Sequence, residues 1–175
     1  GIESMHDHVL AFLNKGLNRR TIEKAFARIR HVPMFFVSNF IIGSVGETRE
    51  QMLQIPAFAR ELGLDSIMIH PLRCRGPEPL TAKVLATPGY YIDPESKRVY
   101  SDELSAKDIL ELARQIKRDF WTPKQILKSA MKFNRLVKPN LLSIAWHGAS
   151  WRLRGRPHPW ELQEAKVESG RQLPR

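Results

Sequence analysis

A chain of 175 residues, 42% hydrophobic and 26% charged with 10 Gly and 12 Pro, has the size of one ordinary domain and is neither disordered nor collagenous in composition. Its single cysteine, Cys74, excludes an internal disulfide, a cysteine zinc cage and a self-contained iron–sulfur site, and makes a reducing cytoplasm the expected compartment. The net charge of +10 lies in the C-terminal third: residues 1–113 carry 14 Lys/Arg and 14 Asp/Glu, and residues 114–175 carry 14 Lys/Arg against Asp119, Glu161, Glu164 and Glu168.

No apolar run approaches the ~18–20 residues of a membrane-spanning helix. The chain opens without Met on what reads as the end of a strand, so a piece of a longer polypeptide is expected. Val9, Leu10 and Leu13 give His6 to Leu13 helical spacing, broken at Asn14-Lys15-Gly16. A second helix starts at Thr21, carries Ile22, Ala25, Phe26 and Ile29 on one stripe, and ends near His31 ahead of Pro33. Phe35 to Ile42 is a short apolar run ended by Gly43, read as a strand buried on both faces.

Thr48 to Leu62 reads as a helix with Met52, Ile55, Phe58, Ala59 and Leu62 inward, with Pro56 in conflict with its continuity. Ser66 to His70 is the next strand. Strand, helix, strand at this spacing builds parallel sheets that gather ligands at the C-terminal ends of their strands. Residues 74–89 are rich in Pro and Gly around a short helical piece. Tyr90-Tyr91-Ile92 and Arg98-Val99-Tyr100 flank Asp93 to Ser96 as a small hairpin. Ser105 to Phe120 and Thr122 to Leu136 are two helices, N-capped by Ser105 and Thr122. Residues from about 165 onward read as a frayed tail.

Gly43-Ser44-Val45-Gly46-Glu47 is a strand-to-helix turn of the kind that offers backbone N–H groups to phosphates or carboxylates, although it lacks the Lys-Ser/Thr of a P-loop. Asn39, a polar residue in an apolar strand, is either hydrogen-bonded inside the fold or aimed at a ligand. Taken in order, Gly1-Ile2-Glu3-Ser4, Val9-Leu10, Asn14-Lys15-Gly16 and Asn39 to Thr48 together resemble the radical S-adenosylmethionine (SAM) superfamily, in particular its cobalamin-associated branch. The resemblance covers residues 1–80, with Arg73 to Leu80 standing where many members carry a Pro-Gly-Thr-Pro-like loop.

The resemblance implies an α/β fold: a partial (β/α)6 TIM-like barrel of which this chain holds the C-terminal half, strands 4–6, followed by a mainly helical C-terminal extension. The boundaries expected are 1–80 for the half barrel, 81–104 for a loop and hairpin, and 105–175 for the basic helical extension. It implies SAM as a cofactor, a 4Fe–4S cluster held by a CxxxCxxC motif outside this chain, and a cobalamin domain, also outside it. Carried over by position, Glu3 resembles the acid touching the SAM ribose or methionyl amine, and Lys15 the cation for the methionine carboxylate. Asn39 resembles the residue reaching the ribose hydroxyls, while Ile41 and Gly43 match the stretch lining the adenine. His70, at the sixth strand's end, either lines the substrate cavity or is a hydrogen-bonded structural histidine, and Arg73 just beyond it is placed to meet substrate.

Cys74, between Arg73 and Arg75, is either a thiol with a lowered pKa near the substrate or an ordinary loop cysteine. A half barrel is also expected to expose an apolar strand edge beside residues 35–42. The basic C-terminal third combines Lys117, Arg118, Lys124, Lys128, Lys132, Arg135 and Lys138 with Trp121, Trp146, Trp151 and Trp160. That mixture suits a membrane interface, suits RNA, or reflects core tryptophans; the resemblance favours peripheral membrane contact on the inner face, with nucleic acid second. Two functions follow: part of a radical SAM enzyme that methylates, cyclises or rearranges a hydrophobic small molecule, or a non-catalytic basic RNA- or membrane-binding module.

Overall fold

The computed structural model describes residues 1–136. The chain divides into two compact units, Gly1–Lys132 and Phe133–Arg175; of the second, only residues 133–136 are described, and they are helical. Lys138, Trp146, Trp151 and Trp160 lie outside the described residues.

In the first unit β1 (Val37–Ile42) is the middle strand. It pairs in parallel with β2 (Ser66–Pro71), Val37 opposite Ser66 and Ile42 opposite Pro71. On its other edge Glu3 bridges it in parallel: Glu3 N–H donates to the Asn39 carbonyl (3.0 Å) and Ile41 N–H to the Glu3 carbonyl (2.7 Å). Helices α1 (Asp7–Phe12) and α2 (Arg19–Ile29) connect Glu3 to β1, and α3 (Arg49–Leu53) and α4 (Ile55–Glu61) connect β1 to β2. Parallel pairing requires such crossovers, since no tight turn can return the chain in the same direction.

Two expectations about β1 need correcting. It is not buried on both faces: Ser38, Phe40 and Ile42 are buried, whereas Val37 is 52% exposed, Asn39 is exposed and Ile41 is half-buried. β2 alternates in the same way, with Ile67 and Ile69 buried, Met68 51% exposed and His70 exposed. The edge expected to be exposed beside residues 35–42 is covered in part, by the Glu3 bridge to Asn39 and Ile41. The face opposite the core is exposed at Val37, Asn39, Met68 and His70 and half-buried at Ile41.

The buried face packs against the connecting helices and α6 (Ala106–Phe120). Met52, Ile55, Phe58, Ala59 and Leu62 all point inward, and Pro56 resolves its conflict by splitting the segment at Gln54, which closes α3 and opens α4. Proline has no N–H to continue the ladder but is tolerated in a first helical turn. α6 starts at a capping box, with Asp108 N–H donating to Ser105 Oγ (3.2 Å) and Ser105 N–H to Asp108 Oδ2 (2.9 Å). It buries Ile109, Leu112, Ala113, Ile116 and Phe120. The cap contributes about 1 kcal/mol and each large buried side chain about 1.5–3 kcal/mol, so packing outweighs capping in holding α6.

A second apolar cluster, Leu72, Cys74, Val84 and Val99, lies under α5 (Pro79–Leu85) and the hairpin of β3 (Tyr90–Ile92) and β4 (Val99–Ser101). Residues 123–132 are helical, opened by Gln125 N–H donating to Thr122 Oγ1 (3.2 Å). This segment is held by polar groups. Gln125 Nε2 donates to the Leu64 carbonyl (2.9 Å) and Ser129 Oγ to the Asp65 carbonyl (2.8 Å). The fully buried Asp65 carboxylate takes Phe36 N–H (2.8 Å) and the Lys132 ammonium (2.5 Å), which also lies over the Phe36 ring. Lys132 is thereby removed from the set of cations expected to face phosphates.

Replacing Asp65 by Ala strands a buried N–H and the Lys132 ammonium, and is expected to cost roughly 2–4 kcal/mol in urea unfolding. Lys128→Ala, on the exposed side of the same segment, is expected to change stability by less than about 0.5 kcal/mol.

Candidate functional site

The open face carries the chemistry-bearing residues of both βα units. Lys15 reaches it because α1 ends in a Schellman motif: Asn14 adopts φ +53°, and Asn14 and Lys15 N–H groups return to the Ala11 (3.0 Å) and Leu10 (3.1 Å) carbonyls. The Lys15 ammonium then sits 3.2 Å from Glu3 Oε1. Glu3 itself holds φ +67°, a backbone conformation uncommon for a residue with a side chain. Asn39 and Ile41, on the same face of β1, stand two residues apart; Asn39 makes no hydrogen bond through its amide among the described residues. His70, opposite Ile41 in the parallel register, completes the row.

At the C-terminal ends of β1 and β2 an open cleft of about 500 Å³ is lined by Leu13, Lys15, Ile41, His70, Leu72, Arg73, Arg75 and Leu80, with Pro71. The structure thus brings Lys15, Ile41, His70 and Arg73 into one cavity, with Glu3 tied to it through Lys15. Asn39 instead lines a neighbouring cavity of about 350 Å³ with Gly1, Leu17, Ile22 and Val37.

Gly43 is buried beneath α6: a Cβ there would meet Ile109 Cδ1 at 3.0 Å, and its φ of +74° disfavours any side chain. Its requirement for glycine is therefore met by helix packing. The turn that follows is closed by its own groups instead of standing open to an anion. Glu47 loops back so that its carboxylate accepts the Ser44 N–H (3.2 Å) and the Gly43 N–H, and Gly46 N–H donates to the Tyr90 hydroxyl (2.8 Å). Glu47 is 5% exposed, and burial raises its carboxyl to about 7 against the lowering effect of those two N–H donors. Its Oε1 and the Ser44 hydroxyl are buried without a partner.

Cys74 also departs from the first of its two readings. Alternation along the extended segment turns Cys74 into the second apolar cluster, 3% exposed, while Arg73 and Arg75 point the other way. Burial raises its thiol, a hydrogen bond with Thr81 opposes this, and Glu78 raises it further, so the thiolate is disfavoured. Among the described residues no group of His, Cys, Asp or Glu is arranged to hold a metal ion. Two participants carry other roles in the sequence reading: Glu47, named only as the last residue of the glycine-rich turn, and Arg75, named only as a flank of Cys74.

No family model matches the chain. It is similar to two ribosomal protein uS12 methylthiotransferases named RimO. That of Thermoanaerobacter sp. (strain X514) is 22% identical over 116 residues, covering 66% of this chain and 24% of the relative. That of Caldanaerobacter subterraneus subsp. tengcongensis is 22% identical over 120 residues, covering 68% and 25%. The chain spans about a quarter of the length of the curated relatives it matches.

Because the folded-state pKa of Glu47 lies above its unfolded value of 4.5, the carboxyl opposes folding when ionised. Stability is expected to be greatest below pH 4.5 on this group's account and to fall as pH rises through 7, by up to roughly 3 kcal/mol. Glu47→Gln should remove that dependence, giving a variant more stable than wild type at pH 8 and close to it at pH 5, as read from denaturant unfolding at both pH values.

Proposed function

We propose that this chain is the C-terminal, nucleoside-binding half of a radical SAM enzyme barrel, followed by a helical extension. The observation that carries the reading is the parallel sheet face opposite the main core, on which Lys15, Asn39 and His70 are exposed and Glu3 and Ile41 half-buried. A face bearing half-buried and exposed apolar groups beside an acid, an amide and a cation is suited to a partner that is itself part apolar and part polar. Similarity to two methylthiotransferases over residues that make up a quarter of their length supports an enzyme fragment.

The residues present fit SAM. Asn39, two residues from Ile41 on the same strand face though lining the neighbouring cavity, makes no amide hydrogen bond among the described residues and suits a ribose diol; Ile41 offers an apolar surface for a purine, and Lys15 a cation for a carboxylate, with Glu3 neutralising that cation until the ligand arrives. Gly43 supports this surface from behind, through its seat under Ile109. The residues do not fit a 4Fe–4S cluster, since the one cysteine is buried in an apolar cluster; its ligands belong to residues outside this chain. A cobalamin domain would lie outside it too. SAM, when bound, supplies a sulfonium whose reductive cleavage yields a 5′-deoxyadenosyl radical. This chain's part is to orient the nucleoside and amino-acid ends and to exclude water from the strand ends. The substrate class in this reading is a hydrophobic small molecule.

A complete polypeptide that includes this chain, purified without oxygen, is expected to carry CxxxCxxC ahead of Gly1 and to form 5′-deoxyadenosine from SAM. Asn39→Ala should raise the KM for SAM about tenfold, the equivalent of one lost hydrogen bond of ~1.4 kcal/mol. Absence of the cysteine triplet, or no 5′-deoxyadenosine, rejects the reading.

A specific observation favours a second role for residues 123–132. Their buried side is polar, Gln125 and Ser129, and their outer side carries Ile126 (51% exposed), Leu127 (61%) and Met131 (63%) beside the exposed Lys124 and Lys128. An apolar stripe flanked by lysines matches the interface of an anionic bilayer. Among the described residues no helix is long and apolar enough to cross a membrane, so contact there would be peripheral. The chain is expected to sediment with phosphatidylglycerol vesicles and not with phosphatidylcholine ones, and Ile126→Glu with Leu127→Glu should abolish this. Binding to RNA with no vesicle binding would assign the surface to nucleic acid instead.

A further inference from the structure

Beyond β2 the chain stays extended and pairs antiparallel with the start of β4: Val99 N–H donates to the Leu72 carbonyl (3.0 Å), Cys74 N–H to the Lys97 carbonyl (2.9 Å), and Arg73 stands opposite Arg98. The two-residue period of this segment sends Leu72 and Cys74 into the second apolar cluster and Arg73 and Arg75 out into the cleft. Their Cα atoms are therefore roughly 7 Å apart on one face, a spacing from which two guanidinium groups converge on a single oxyanion.

Both are exposed, and no carboxylate lies within ion-pair distance of either among the described residues. The contrast with Lys15 is informative, because that cation, on the same cleft, already has Glu3 at 3.2 Å. Across the bridge a third guanidinium, Arg98, adds like charge directly opposite Arg73, an arrangement that disfavours the folded pairing. Its Nε is buried with no acceptor. Asp93 is the acid that senses Arg98, yet its carboxyl is held low first by the Ser96 side chain and backbone. Besides Lys15 and His70, the half-buried side chains around the cleft, Leu13, Ile41, Pro71 and Leu80, are apolar.

We propose that Arg73 and Arg75 are a seat for the oxyanion of an amphiphilic ligand, a carboxylate or phosphate ester whose apolar body lies along Leu13, Ile41 and Leu80. As a statement of substrate class this rests on the reading given under Proposed function, but the seat requires neither SAM nor a cluster to be occupied. It sharpens the hydrophobic substrate of that reading into one with an anionic head.

Decyl phosphate and decanoate, each titrated calorimetrically into the 175-residue chain below their micelle concentrations, test the seat. At least one is expected to bind with a submillimolar Kd, and which binds more tightly assigns the head group. Arg73→Gln with Arg75→Gln is expected to weaken that binding at least tenfold with a melting temperature no lower than wild type, while decyl glucoside binds neither protein. Arg73→Lys with Arg75→Lys, which keeps the charge without the fork, should fall in between. No binding to wild type, equal binding to the double Gln variant, or equal binding of decyl glucoside overturns the proposal. Probe binding by a chain whose complete polypeptide forms no 5′-deoxyadenosine would retain the seat and remove only its assignment to a radical enzyme.

Discussion

The architecture depends on a plain geometric constraint: a β-strand has two faces, and the helices beside this sheet cover one. Along β1 and β2 every second side chain, Phe40, Ile42, Ile67 and Ile69, is buried against α3, α4 and α6. The alternate set, Val37, Asn39, Ile41, Met68 and His70, is left on the other side. Loss of area on the covered face supplies the folding free energy, and the uncovered face is where recognition chemistry collects. Val37 and Met68 each leave about half their surface exposed on this one sheet.

Several local devices hold that face in shape without lying on it. The Schellman end of α1 delivers Lys15 to Glu3. Gly43 lets α6 approach so closely that no side chain fits between it and Ile109. Glu47 spends its carboxylate on the backbone of its own turn, at the expense of being buried with one unpartnered oxygen. Asp65 does the corresponding work at the opposite end of β2, drawing together Phe36, Ser129 and Lys132. Three of these four hold buried or half-buried charge, so the scaffold is electrostatically exacting around a mostly apolar core.

The strand–helix order, the helix spanning 106–120 with its Ser105 cap, and the inward residues of 48–62 were all legible from periodicity and turn chemistry. The resemblance over residues 1–80, which singled out Glu3, Lys15, Asn39, Ile41 and Gly43, rests on motif order and not on periodicity. Less legible was the fate of polar groups, which depends on neighbours distant in sequence. Lys132 reads as one more cation of a basic helix until Asp65, 67 residues away, is found to hold it. Cys74 between two arginines leaves an activated thiol and an ordinary loop cysteine both open until its neighbours turn out to be Leu72, Val84 and Val99.

Spacing along the chain therefore determined which residues share a face, because the periods of 2 and 3.6 are properties of the backbone itself. It could not determine whether a given face is covered. A run such as Phe35 to Ile42 is compatible with burial on both sides, and only the packing of α6 and its companions against one side leaves Val37 and Asn39 exposed and Ile41 half-buried on the other. Coverage is a relation among separate elements, and it exists only once the chain has folded.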